Sequence, residues 1–235
     1  MLRDASGSRP GVRQLLDIGA GRGELITLLQ RTLSIKARAC DFHVERFSLA
    51  DVEIQQINLN QERLPYADAS FDIVTCSEVV EHLENYRDLF RQVNRVLKPG
   101  GLFIVTTPNV LNLKSRMRYF CTGFASLFGP LPVKNQNLAS TGGHITPIAY
   151  FYLAHALLDA DFSGIKLSTD KLQKTSRVAQ IVFAPLLWLG WKRFLARETK
   201  VLKTIDQVNR PYVEQHNSSV MLLGRTVICL SSKAI

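Results

Sequence analysis

The sequence predicts an α/β fold, a mostly parallel sheet with helices on both faces. Three observations predict it. A strand, a glycine turn and a helix follow one another near the N-terminus. Strand and helix patterns then alternate at short intervals to about residue 108. Residues able to do chemistry fall just after each expected strand, where sheets of this kind bind ligands.

The first unit sets the pattern. Val12, Leu15, Leu16 and Ile18 form an apolar run read as a buried strand. Gly19, Gly21 and Gly23 form a tight turn, and Leu25, Ile26, Leu28 and Leu29 follow with helical spacing. Glycines there let backbone approach a ligand that a Cβ would hold off, and the helix start offers unpaired N–H donors. The dinucleotide fingerprint is G-x-G-x-x-G, but here the glycines run G-x-G-x-G, with Glu24 where that fingerprint has its third glycine. Asp17 adds an acid at the end of the strand. An acid there suits a cationic amino group rather than a pyrophosphate, which favours S-adenosylmethionine over a nicotinamide dinucleotide.

Ile35–Asp41 reads as the second strand. Asp41 lies 22 residues beyond Gly19, near the spacing of about 20 at which this architecture places a ribose-binding acid. Residues 52–58 read as the third strand. Asn58 and Leu59 after it offer a side-chain amide and a backbone N–H for an adenine edge, with Asn60 an alternative in the same turn. Phe71–Ser77 reads as the fourth strand. A helix is expected over 85–97, with Tyr86, Leu89, Phe90, Val93, Val96 and Leu97 on one face; Lys98-Pro99-Gly100-Gly101 stops it. The fifth strand is expected over 102–107, ended by Pro108.

Glu78-Val79-Val80-Glu81-His82 follows the fourth strand. Two carboxylates three apart on a helix would share a face and, with the imidazole, form part of a hard-cation site. The alternative is that Glu81 and His82 cap and pack, and the expectation is no metal.

The ordered set Asp17-x-Gly-x-Gly-x-Gly, Asp41, residues 64–72 (Leu-Pro-Tyr-Ala-Asp-Ala-Ser-Phe-Asp), Glu78-Val-Val-Glu81-His82-Leu83 and Leu97-Lys-Pro-Gly-Gly101 resembles class I S-adenosylmethionine-dependent methyltransferases of the type 11 kind. The resemblance is strong over 12–108 and loose over 140–170. It implies a Rossmann-like seven-stranded sheet with an antiparallel last strand, and cofactor contacts at Asp17, Gly19, Gly21, Asp41, Asn58, Leu59 and Ser77. Asn58 departs from the Asp often found at the adenine position. Only about a dozen residues precede the first strand, where relatives carry a helical lid. Either a later insertion serves instead, or the cleft is more open, or the chain start is truncated.

A length of 235 residues suits one domain: a cofactor-binding core at 12–108, an insertion at 109–147 over the active-site mouth, and a helical insertion at 171–210 between the last two strands. Lys114, Arg116 and Arg118 alternate with apolar residues in the first insertion. Thr146 as N-cap and Pro147 at the first helical position are expected to start a helix reaching about residue 160. His144 just before it is the first candidate general base, with His82 the second; the alternative for His144 is a loop histidine that holds backbone. The sixth strand is expected over 162–169 and the last within 219–231.

The net charge of +9 is uneven. Residues 1–108 carry a net of −1 and residues 109–235 a net of +10. Such asymmetry points to an anionic partner for the second half. Residues 181–191 are uncharged, and cations flank them on both sides. The run is expected to be too short, and too broken by Pro185 and Gly190, to span a bilayer. Two readings stand: attachment to an anionic membrane through residues 171–200, or a helical pair packed on its own domain or a second subunit. Cys40, Cys76, Cys121 and Cys229 are far apart and read as reduced thiols, and no signal peptide is expected. The expected location is cytoplasmic, with peripheral attachment to the inner membrane face as its extension.

Together these features lead to methyl transfer from S-adenosylmethionine to the oxygen of a small-molecule, glycan or lipid-linked acceptor. The rival is a non-catalytic module of the same fold that binds the cofactor. Nucleic acid ranks low as a partner, since no RNA-binding module is visible. The oligomeric state is not legible.

Overall fold

A computed structural model describes residues 11–132 and 143–234. The first ten residues, and the part of the first insertion at 133–142, lie outside the described residues. Strands β1 (Arg13–Ile18), β2 (Ile35–Asp41), β3 (Glu53–Gln56), β4 (Phe71–Ser77), β5 (Leu97–Pro108), β6 (Phe162–Ser168) and β7 (Thr226–Lys233) form one seven-stranded sheet in the order β3-β2-β1-β4-β5-β7-β6. Pairs β1/β2, β2/β3, β1/β4 and β4/β5 are parallel, and β7 runs antiparallel.

Strand β1 is apolar without alternation because both of its faces are covered; Leu15, Leu16 and Ile18 are fully buried, as are Val74 and Cys76 of β4. Val12, expected inside this strand, precedes it and is exposed. The chain leaves β1 toward β2 and β3 on one side, then returns to β4 and β5 on the other. The order therefore reverses between β1 and β4, and ligands of open α/β sheets bind at that switch point, beyond the carboxyl ends of the strands.

Helix α1 (Glu24–Gln30) follows β1 and buries Ile26 and Leu29, whereas Leu28 faces solvent. Helix α2 (Tyr86–Val96) begins at Asn85, whose side chain accepts from Asp88 N. It buries Leu89, Phe90, Val93 and Val96; Phe90 meets Phe103 of β5 edge-on at 5.4 Å. Arg95 on its last turn fixes the motif at 64–72, donating to the carbonyls of Tyr66 (2.7 Å) and Leu64 (2.8 Å) and to Asp68 Oδ1 (2.7 Å).

Lys98-Pro99-Gly100-Gly101 ends the helix as expected, but it is also the start of β5. Leu97 pairs with Phe71 and the register then shifts before Leu102 pairs with Ile73. The tetrapeptide is a bulge, and Gly100, at φ 70°, makes it.

The chain forms two compact units. The first comprises Met1–Thr107, Ala156–Lys166 and Ile228–Ile235; the second comprises Pro108–His155 and Leu167–Val227. The second holds α3 (Leu113–Thr122), the start of α4 (Tyr150–Asp159), α5 (Lys174–Arg197), α6 (Arg210–Gln215) and α7 (Ser219–Leu223). A buried polar knot organises it. The Asn109 amide donates to the carbonyls of Met221 (2.8 Å) and Gly224 (2.9 Å), and Asn112 caps α3 by accepting from Ser115 N (2.9 Å).

Three expectations are corrected here. The helix expected from Thr146-Pro147 begins at Tyr150, with the Ala149 carbonyl accepting from Leu153 N. Burial of Ile148 and Tyr150 outweighs the local capping signal. The last strand, expected within 219–231, runs from Thr226 to Lys233, and residues 219–223 before it form a helix that Ser218 caps by accepting from Met221 N. The run at 181–191 is unbroken: α5 continues through Pro185 and Gly190 and ends in a π-helical turn at Glu198–Leu202.

Candidate active site

In the first unit, Asp17, Gly19, Gly21, Asp41 and Ser77 lie at or just beyond the carboxyl ends of β1, β2 and β4. The turn after β1 places Gly19 at φ 71° and Gly21 at φ 55°, a region side chains enter at a cost of roughly 1–2 kcal/mol. Gly19 N donates to the Cys40 carbonyl at 2.8 Å, locking the turn to β2, and a Cβ at Gly19 would overlap the Val79 side chain. A Cβ at Gly21 would meet none of the described residues within 4 Å. The turn is thus tight on one side and open on the other, a cradle of backbone that a side chain would fill.

Asp41 ties this cradle to the end of β2. Its Oδ2 accepts from Gly21 N and its Oδ1 from His43 N, both at 2.8 Å. Each carboxylate oxygen can accept more than one hydrogen bond, so the same group retains capacity for a vicinal diol.

Asp17 is buried and accepts from Thr75 Oγ1 at 2.7 Å. Burial pushes its carboxyl up to about 6; the Thr75 hydroxyl opposes this and the nearby Asp41 charge adds to it. A buried acid of this kind is stabilised by a cationic ligand. If it holds the ligand's ammonium group, affinity follows its ionised fraction. Affinity is then expected to be near its full value above pH 7 and about tenfold weaker at pH 5, where the group of pKa about 6 is mostly protonated. Asp17→Asn should flatten that profile in a binding titration run across the range, and an unchanged slope in the variant would place the effect elsewhere.

The loop after β3 holds Asn58 and Leu59, both half-buried. Asn58 Oδ1 accepts from Asn60 N at 3.1 Å, so its carbonyl shapes the turn while its amide is the end suited to a base edge. Asn60 has a tying role that the sequence did not give it: its Nδ2 donates to the His82 carbonyl (3.3 Å) and its Oδ1 accepts from Glu84 N (2.9 Å). That joins the loop after β3 to the loop after β4.

Glu78 and Glu81 do not share a helix face, which corrects the premise of the metal reading. Glu78 sits in the turn after β4 at φ 55°, where its Oε1 accepts from the Thr106 hydroxyl at 2.9 Å. Glu81 lies in a 3₁₀ turn at Val80–His82 and is 0% exposed. Burial pushes its carboxyl up to about 7; its own backbone N–H opposes this, the Glu78 charge adds to it, and the Thr107 hydroxyl lowers it. Thr107 Oγ1 donates to Glu81 Oε2 at 3.1 Å, and Oε1 has no hydrogen-bond partner among the described residues. The sequence offered Glu81 as half of a carboxylate pair or as a packing residue; the structure buries it and bonds it to Thr107 of β5.

His82 occupies the last position of that 3₁₀ turn, half-buried, its backbone N donating to the Val79 carbonyl at 2.9 Å. His144 belongs to the second unit. Its Nδ1 lies 3.1 Å from the Leu127 carbonyl, and its ring packs against Phe128 at 5.3 Å. The contact to a carbonyl places the proton on Nδ1 and the lone pair on Nε2. His144 thus holds backbone through Nδ1, as in the alternative weighed for it.

It also lines an apolar cavity of about 800 Å³ within the second unit, walled by Leu111, Tyr119, Phe120, Phe124 and Phe128 among others. Arg116 reaches this wall, but its guanidinium donates to the carbonyls of Leu111 (2.7 Å) and His216 (3.3 Å). Burial there, and the Arg116 charge, hold His216 down at about 4.

The residues present fit an adenosyl group with a cationic amino-acid end: an open glycine cradle, an acid for a ribose and a second, buried acid for an ammonium. The fold and site define the class. The first unit is a methyltransferase domain of the class I S-adenosylmethionine-dependent kind. More narrowly, residues 16–105 match the family described as "Methyltransferase domain".

The chain is 34% identical over 113 residues to the ubiquinone/menaquinone biosynthesis C-methyltransferase UbiE of Vibrio vulnificus, a match covering 43% of each protein. It is 27% identical over 100 residues to the demethylmenaquinone methyltransferase of Chlorobaculum parvum, covering 41% of this chain and 42% of that protein. The chain thus spans less than half the length of these curated relatives. Among solved structures, a S-adenosylmethionine-dependent methyltransferase from Archaeoglobus fulgidus superimposes with a TM-score of 0.60 at 18% identity, covering 99% of this chain and 91% of that one. Phosphoethanolamine N-methyltransferase 2 of Haemonchus contortus, solved with S-adenosyl-L-methionine, gives a TM-score of 0.54 at 17% identity, over 97% of this chain and 50% of that one. At these identities the likeness is one of fold.

Proposed function

We propose that the protein is a S-adenosylmethionine-dependent methyltransferase that acts on the hydroxyl oxygen of a small-molecule, glycan or lipid-linked acceptor. The observation that carries the cofactor reading is the Asp41 carboxylate bonded to Gly21 N beside an open cradle. The bound cofactor supplies an activated methyl group. Asp17 faces its ammonium, Asp41 its ribose, and Asn58 with Leu59 its adenine. Ser77 and the turn after β4 border the methyl-bearing end. Orientation is then the main lever on rate.

The acceptor reading draws on the aromatic wall of the second unit's cavity and on His144, the first candidate to take a hydroxyl proton. His82 is the second candidate for that role. The Vibrio relative is named as a C-methyltransferase, so the hydroxyl reading rests on this chain's own residues.

The test is transfer of labelled methyl from S-adenosylmethionine into fractionated cell extract. Label in a lipid or envelope fraction, stable to base and released as methyl iodide on cleavage with hydriodic acid, is the expected result. Retained transfer in both His144→Ala and His82→Ala would remove the base assignment. Cofactor binding with no label in any fraction would favour the non-catalytic module instead.

A further inference from the structure

We propose that α5 lies in the plane of an anionic membrane surface, one stripe docked on the second unit and the opposite face in the headgroup layer. This does not rest on the methyl-transfer reading.

The helix runs Lys174–Arg197 and buries only one stripe. Ser176 is buried, and Ala179 and Leu187 pack against Leu113, Leu222 and Leu223. At about 100° per residue, 176, 179 and 187 share one side. Val178 (67% exposed), Ile181 (76%), Val182 (66%) and Trp188 (59%) lie away from it, together with Leu189. A contiguous apolar face of this extent marks an interaction site in a folded protein.

Charge names the occupant. Residues 171–202 carry Lys171, Lys174, Arg177, Lys192, Arg193, Arg197 and Lys200 against a single acid, Glu198. Lys192 Nζ sits 4.4 Å from the centre of the Trp188 ring, a cation above an aromatic at one end of the apolar face. Apolar residues bracketed by cations suit an anionic bilayer surface. Two copies of this face packed together would set cations against cations.

Length argues for lying in the plane. By length and composition, residues Ser176–Leu202 would suffice to cross a membrane, but the uncharged stretch between Arg177 and Lys192 extends only about 21 Å, against a hydrocarbon core of about 30 Å. Pro185 has no N–H, so the Ile181 carbonyl lacks its helical donor. At headgroup depth water can supply one.

The test uses the full chain and vesicles of phosphatidylcholine alone or mixed with phosphatidylglycerol. Both tryptophans of the protein, Trp188 and Trp191, lie on α5, so intrinsic emission reports on this helix directly. The expected result is flotation with the mixed vesicles, a blue shift in emission, and release at high salt. Lys192→Glu/Arg193→Glu should weaken that binding by about tenfold or more with an unchanged circular-dichroism spectrum. Three results would overturn the proposal: no flotation with either vesicle; equal flotation with both that resists high salt and carbonate, as for a spanning helix; or a dimer in solution whose emission ignores vesicles.

Discussion

Gly21→Val is expected to lower S-adenosylmethionine affinity by about 100-fold or more, close to 3 kcal/mol, with the fold retained. None of the described residues stands within 4 Å of a Cβ at this position, so the new side chain enters the space that the proposed reading gives to the ligand. The backbone at φ 55° adds strain of roughly 1–2 kcal/mol, which should appear as a modest fall in melting temperature. Gly19→Ala makes the contrast. There the Cβ overlaps Val79, so the damage passes through the turn after β4, and Val79→Ala should restore part of it. The same second substitution should do nothing for Gly21→Val. A binding titration on the four variants separates a cradle filled from a cradle distorted.

Asp41→Ala should cost about 100-fold in cofactor affinity, and Asp41→Asn about tenfold. The carboxylate orders Gly21 N and His43 N at 2.8 Å each and, in the proposed cofactor reading, accepts from the ribose diol. Hydrogen bonds to a charged group contribute roughly 1.5–3 kcal/mol each. Alanine removes the acceptors for protein and ligand together. Asparagine keeps one carbonyl oxygen and loses the charge. Far-ultraviolet dichroism should be unchanged in both, because Asp41 is the last residue of β2 and its side chain lies outside the ladder. A loss of fewer than threefold in the alanine variant would remove Asp41 from the ribose role.

The cofactor half was legible because its signals are local. Strand bounds at 35–41 and 71–77 follow from apolar runs with sharp ends, and Asp17, Gly19, Gly21, Asp41 and Ser77 sit at strand ends where the chain itself announces them. What was not legible depends on residues far apart in sequence. The bulge at 98–101 exists because Leu97 pairs with Phe71 before the register shifts. Glu81 is bonded by Thr107 of β5, 26 residues on. The tie made by Asn60 joins two loops about 20 residues apart.

The second half hid more, for the same reason. Asn109 and Asn112 look like a polar loop, and become the centre of the second unit only when residues 221–224 return to meet them. Thr146-Pro147 gives a sound capping signal that tertiary burial overrides. Pro185 gives a sound breaking signal in water, where an interior proline costs roughly 3 kcal/mol. The helix nonetheless continues through it, with apolar side chains on both sides.

The central claim is that the backbone between β1 and α1 holds S-adenosylmethionine, and calorimetric titration of the wild-type chain tests it most directly. S-adenosylmethionine and S-adenosylhomocysteine should each bind at one site, while NAD, with a pyrophosphate facing Asp17, should give no heat. Binding of NAD in preference to both, or silence with all three, would contradict it.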